Sequence, residues 1–219
     1  MLRICLIGPG DVEYHFKEIL KLPKSELNHH IELIAETLAV NGYELVLLPD
    51  RGVSFELAKF YKKFNGKKIL GTVPLSDTDF GIEHLKPYMN YTYRNKKLFD
   101  GFIDTGTWYR QDLTHCIFGD VVLMLGNSLG SLGELVYGYY LYKLLQGHKP
   151  EVEVKKLHAE QRAGINVPFS VIVYKPFVKE HLNYEIEQYI EKHNGKVYYV
   201  NNALELLDVL TGLQKTLDI

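Results

Sequence analysis

The chain has 219 residues, 46% of them hydrophobic, which is enough to bury a sizeable core within one large domain spanning 1–219. A formal net charge of -2, with both signs interspersed and no basic tract, excludes the field that would hold a nucleic-acid backbone. No apolar run approaches the ~18 residues of a membrane span and the opening Met1–Gly8 is too short for a signal peptide, so the expectation is a cytoplasmic protein with no nucleic-acid or membrane partner.

Apolar runs of strand length recur at 3–8, 44–48, 68–73, 99–104, 120–125, 169–174 and 196–200, each followed by a turn and most by a helical pattern. Ile31, Ile34, Ala35, Leu38 and Ala39 repeat at helical spacing, and Asn41-Gly42 stops that helix before the second strand. A further helix holds Phe55, Ala58 and Phe60 and ends near Asn65-Gly66. Near-continuous apolar strands such as Val121–Leu125 and Phe169–Val173 imply a sheet covered on both faces. The pattern predicts a doubly wound α/β fold, a mostly parallel sheet of about seven strands with helices on both faces. Two long segments, 75–97 with its tyrosine cluster and 148–167, interrupt the rhythm and suit either lids or contact surfaces. The two cysteines, Cys5 and Cys116, lack any C-x-x-C spacing or evident pairing and read as reduced core residues.

In an open parallel sheet, ligands bind beyond the carboxyl ends of the strands. Those ends carry Gly8-Pro9-Gly10, then Pro49-Asp50-Arg51-Gly52, then Gly71–Pro74, Asp104–Thr107 and the run Gly126-Asn127-Ser128-Leu129-Gly130-Ser131-Leu132-Gly133-Glu134. The last is a glycine-rich turn between an apolar strand and a long helix, where the first backbone N–H groups lack intrahelical partners and can collect a phosphate. Glu134 reads as a carboxylate in the first turn of that helix, facing a different part of the ligand. Arg110 opens the helix after the fourth strand, which is expected to neighbour the cradle's strand. A guanidinium there could pair with a phosphate, or with Asp112 or Glu134.

Other chemistries fit less well. The nine histidines show neither His-x-x-x-His nor Cys/His ligand spacing, so neither a metal site nor a cofactor is expected. Ser128 in Gly126–Gly130 matches a nucleophile elbow, yet no histidine follows Asp208 as an α/β-hydrolase order requires. Tyr137 and Tyr140 share a helical face, suited to packing or to stacking on a base.

The segments Thr107–Gln111, Gly119–Leu125 and Gly126–Leu135 resemble the LONELY GUY type phosphoribohydrolases, long labelled lysine decarboxylases, whose signature is an Arg-Lys pair, a strand beginning near an Asp, and P-G-G-x-G-T-x-x-E. The resemblance implies a Rossmann-like fold of the superfamily that also holds nucleotide sensors and a molybdenum-cofactor carrier. It implies that Gly130 and Ser131 hold the phosphate of a nucleoside 5′-monophosphate while Arg110 and Glu134 support cleavage of the N-glycosidic bond. The chain departs from that pattern. Gly126-Asn127-Ser128 replaces P-G-G, Ser131 the threonine and Gln111 the lysine, and Asp50-Arg51-Gly52 brings side chains where the family offers bare backbone. Two functions therefore stand: hydrolysis of a nucleoside monophosphate, with Arg110 and Glu134 catalytic, or non-catalytic binding by a sensor or carrier. In both the ligand is a nucleotide-like small molecule at Gly8, Gly10, Asp50, Arg51, Gly52 and 126–131, and the protein is expected to be a homo-oligomer.

Overall fold

A computed structural model describes residues 2–147 and 168–216. The strands are β1 (Arg3–Ile7), β2 (Glu44–Leu47), β3 (Ile69–Val73), β4 (Thr92–Tyr93), β5 (Lys96–Lys97), β6 (Gly101–Asp104), β7 (Val121–Met124), β8 (Ser170–Tyr174) and β9 (Lys196–Val200). Seven of them build one parallel sheet in the order β6-β3-β2-β1-β7-β8-β9, and β4 and β5 form a separate antiparallel hairpin. All seven apolar runs of the sequence become sheet strands, with helices on both faces: a Rossmann-like α/β fold.

The helices are α1 (Lys24–Val40), α2 (Val53–Lys63), α3 (Lys86–Met89), α4 (Trp108–Thr114), α5 (Leu129–Gly147), α6 (Tyr184–Lys192) and α7 (Ala203–Thr216). Alternation along β1 assigns them to layers. Ile4 and Leu6 point into a core with α1, α2 and α7, while Cys5 and Ile7 point into one with α5 and α6. Asn41-Gly42 ends α1 as predicted, with Gly42 at φ 73°, and Asn65 at φ 60° follows the end of α2.

Strand order grows outward from β1 in both directions, so the topological switch lies between β1 and β7. Their register, Ile4 opposite Val121 through Ile7 opposite Met124, brings both strands out of the sheet level with each other. This corrects the expectation that the fourth long strand neighbours the cradle's strand. Among the described residues β6 pairs only with β3 at the far edge, and β7 lies between β1 and β8. The chain from β6 therefore has to cross the sheet to reach β7, and α4 makes that crossing, packed on α5.

The 75–97 segment buttresses the edge of the sheet. Tyr88 and Tyr91 set their edges on Phe55 of α2 at 5.1 and 5.4 Å, and Trp108 donates from Nε1 to the Gly81 carbonyl at 2.9 Å. Arg94 and Asn95, both at positive φ, turn the β4–β5 hairpin, which the sequence reading did not resolve. The 148–167 segment lies outside the described residues. On α5, Tyr142 is buried whereas Tyr137 and Tyr140 are exposed. No helix among the described residues is long and apolar enough to cross a membrane.

Candidate functional site

A cavity of about 230 Å³ opens beyond the carboxyl ends of β1 and β2, beside the start of α5. Gly8 and Gly10 come from the first turn, Asp50, Arg51 and Gly52 from the second, and Ser128, Gly130, Ser131 and Glu134 from α5. Three strand ends thus converge. The other two do not: Thr72 is buried within the sheet, and Asp104 ties down its own edge by accepting the N–H groups of Leu75 and Gly106 at 3.0 and 2.8 Å.

The turns after β1 and β2 interlock. Val53 N–H donates to the Pro9 carbonyl at 3.1 Å, and Gly52 adopts φ +134° where a Cβ would fall 2.7 Å from that same oxygen. Gly126, at φ +130°, passes so close beneath Pro9 and His15 that a Cβ would meet them at 2.8 and 3.0 Å. It shapes the loop without lining the 230 Å³ cavity, and Asn127 and Leu129 turn toward a neighbouring one.

Ser128 and Ser131 form a reciprocal cap at the start of α5. Ser131 Oγ accepts the Ser128 N–H at 2.8 Å, Ser128 Oγ accepts the Ser131 N–H at 3.2 Å, and Ser131 is buried. Two N–H groups of the predicted cradle are therefore already satisfied, and Ser128 Oγ is engaged as a cap. The first helical residues, Leu129 and Gly130, keep the orphan N–H groups.

Glu134 is the sixth residue of α5, so it stands in the second turn and not the first, about 7.5 Å of helix rise beyond Leu129. An anion at the helix start and this carboxylate can share the pocket without touching. Burial pushes the Glu134 carboxyl up to about 7, against the attraction of His115.

Arg110 is exposed and does not line the cavity; its Nη1 lies 3.5 Å from where a Gly106 Cβ would stand. It forms no ion pair with Asp112 or Glu134. The residues of this crossing that do line the cavity are Asp112 of α4 and His115 just beyond its end, whereas Arg110 lies about 200° around α4 from Asp112. Partial desolvation raises the Asp112 carboxyl as well, against the attraction of His115, although the residue as a whole is exposed. The sequence reading missed both as site residues. Their spacing was visible, but the face of α4 that meets the pocket depends on its crossing of the sheet.

His115 is buried in a hydrogen-bonded chain. Its Nε2 donates to the Leu6 carbonyl at 3.2 Å and its Nδ1 shares a proton with Thr72 Oγ1 at 2.8 Å. Gln111 Nε2 donates to the same Thr72 oxygen at 2.8 Å, and Thr105 Oγ1 donates to Gln111 Oε1 at 2.8 Å. The sequence departure at Gln111 therefore serves the interior. Burial opposes a charged ring, but the Cys5 thiol and the Glu134 carboxyl favour one and hold His115 above the ordinary histidine value. Cys5 and Cys116 are both free and buried, with Cys5 Sγ 3.4 Å from the His115 carbonyl. The structure brings the two thiols within hydrogen-bonding reach of each other in the core, a proximity their separation in sequence concealed. No group of three or more His, Cys, Asp or Glu among the described residues is arranged to hold a metal.

No family model and no curated protein matches the chain by sequence. Solved structures do match. The structural genomics target TM1055 superposes with a TM-score of 0.60 at 15% identity, over 97% of this chain and 99% of that one. The molybdenum cofactor carrier protein of Chlamydomonas reinhardtii gives 0.56 at 15% identity, over 97% and 98%. The molybdenum cofactor binding protein of Rippkaea orientalis gives 0.53 at 16% identity, over 96% and 95%. The likeness is one of fold.

Proposed function

We propose that the chain, acting as one unit, binds a phosphorylated, nucleotide-like small molecule at the switch point, and that it serves as a carrier or sensor of that molecule. The observation that carries this reading is the cavity itself, which joins the start of α5 to Arg51 across the carboxyl end of β1. The phosphate would sit at the start of α5 on the Gly130 N–H, with Arg51 as counter-charge and Asp112 and Glu134 toward donor groups of the ligand. The resemblance to LONELY GUY type proteins and the fold shared with two molybdenum-cofactor-binding proteins support a ligand of this class. Binding is favoured over hydrolysis because Arg110, the catalytic partner the resemblance assigns to Glu134, does not line the pocket.

Hydrolysis of a nucleoside monophosphate is the second reading, supported by one observation. A carboxyl brought to about 7 inside the pocket can exchange a proton with a departing base near neutral pH. Thermal stabilisation by a panel of phosphorylated ligands, followed by product analysis, separates the two. A carrier shows stabilisation without turnover. A hydrolase releases free base and loses that activity in Glu134→Gln. A panel in which no ligand shifts the melting temperature overturns both.

A further inference from the structure

The 230 Å³ cavity is smaller than the roughly 300–1,000 Å³ that sites for ligands of ordinary cofactor size occupy. Eight of its eleven lining side chains are polar or charged, the exceptions being Leu6, Ile7 and Leu48. Beside it lies a second cavity of about 590 Å³, and the two share Gly10, Ser128 and Gly130 as a common wall. The rest of the second cavity is lined mostly by apolar side chains, Pro9, Tyr14, Ile19, Leu129 and Leu132, with Asp11, His15 and Asn127 among them.

Three of these side chains are held out in the open. Leu129 is 92% exposed, Tyr14 60% and Ile19 44%. Their positions are set by the core behind them. Glu13–Ile19 is a π-helical segment in which Leu20 N–H donates back to the His15 carbonyl at 3.0 Å, a rare irregularity frequent at functional sites. Within it Phe16 is buried with its edge on Phe177 at 4.9 Å, and His15 Nε2 bonds the Phe177 carbonyl at 3.2 Å. Asp11 Oδ1 accepts the Tyr14 N–H at 3.0 Å. The segment is thus anchored on one side while it presents Tyr14 to the cavity on the other. Asn127, on the cavity rim, makes no side-chain hydrogen bond among the described residues and is free to read the edge of a ring.

We propose that the second cavity takes the planar heterocyclic end of the ligand, stacked on Tyr14 and covered by Leu129, while its phosphorylated end lies in the polar cavity across the Gly10–Ser128–Gly130 wall. The inference rests on the phosphate-binding reading and adds to it the place of the heterocycle and the side chain, Tyr14, that receives it. A ring on Tyr14 removes apolar surface from water and gains the offset stacking that aromatic side chains offer to bases.

The test uses 2-aminopurine riboside 5′-monophosphate, whose fluorescence falls on stacking, against ribose 5-phosphate, which has no ring. The nucleotide is expected to be quenched on binding and to bind roughly tenfold more tightly than the sugar phosphate, from the usual strength of base–aromatic stacking. In Tyr14→Leu the quenching and most of that advantage are lost, whereas Tyr189→Leu, on the exposed side of α6, keeps both. Equal affinity for the two probes, binding without quenching, or quenching that persists in Tyr14→Leu overturns the inference while leaving the phosphate reading intact. Failure of both probes to bind overturns the phosphate reading and this inference with it.

Discussion

Ser131 Oγ accepts the N–H of Ser128 at 2.8 Å while Ser128 Oγ accepts the N–H of Ser131 at 3.2 Å, so each serine caps the other where α5 leaves the loop. The pair ties the loop to the first turn of α5, and Ser131 Oγ also donates to the Gly126 carbonyl at 3.1 Å. Ser131→Ala removes one acceptor from a buried cap and is expected to cost about 0.5–2 kcal/mol in urea unfolding. A variant as stable as the wild type would show that the loop is not held by this pair.

Arg51 and Arg110 are told apart by substitution. Arg51 lines the cavity and Arg110 does not. Arg51→Ala should weaken a phosphorylated ligand by roughly ten- to a hundredfold, the usual worth of a hydrogen bond to a charged group, and Arg110→Ala by less than threefold. Calorimetric titration of the two variants decides between them, and the reverse order would restore the pairing of Arg110 with Glu134.

Glu134 predicts a pH dependence. Its folded-state carboxyl is raised from 4.5 to about 7, so between those values the native chain holds a proton that the unfolded chain has released. Stability contributed by this group therefore falls as pH rises from about 4.5 to about 7, and is lowest above 7. Glu134→Gln should gain stability relative to the wild type across that window. Parallel melting curves at pH 5 and pH 8 measure it, and an equal difference at both ends would refute the assignment.

Two glycines of the pocket wall should respond oppositely. Gly52→Ala forces a Cβ to 2.7 Å from the Pro9 oxygen at φ +134° and is expected to destabilise by about 1–3 kcal/mol. Gly130→Ala meets nothing nearer than Ser128 Oγ at 3.9 Å and lies in the first turn of α5, so stability should hold or rise by up to about 1 kcal/mol. Chemical denaturation of both variants checks the contrast.

The Thr72 hydroxyl joins His115 to Gln111, so Thr72→Val strands two buried polar groups, at about 1–3 kcal/mol each. Adding Gln111→Leu should cost less than the two single losses together, because the groups belong to one network. A double-mutant cycle in urea measures the coupling, and strict additivity would show that the chain does not act as one.

Much of the fold was legible because its causes are local. Val121–Leu125 alternates between two cores and so reads as a covered strand, and Asn41-Gly42 stops α1 through backbone preferences that need no tertiary partner. The run Gly126–Glu134 announced a turn into a helix in the same way. The π-helical turn at Glu13–Ile19 was not legible, because Phe16 and His15 take that form only when held against Phe177.

By itself the sequence determined the seven strands, the two layers of helices and the glycine-rich loops, since periodicity and turn chemistry are written within windows of about ten residues. Tertiary structure alone decided which loops meet. β6 lies at the sheet edge and β7 beside β1, so α4 must cross the sheet between them, and that crossing turns Asp112 and His115 toward the pocket and leaves Arg110 in solvent. Neighbours along the chain fix the phase of a helix with respect to itself. Only the packing of α4 on α5 fixes it with respect to a ligand.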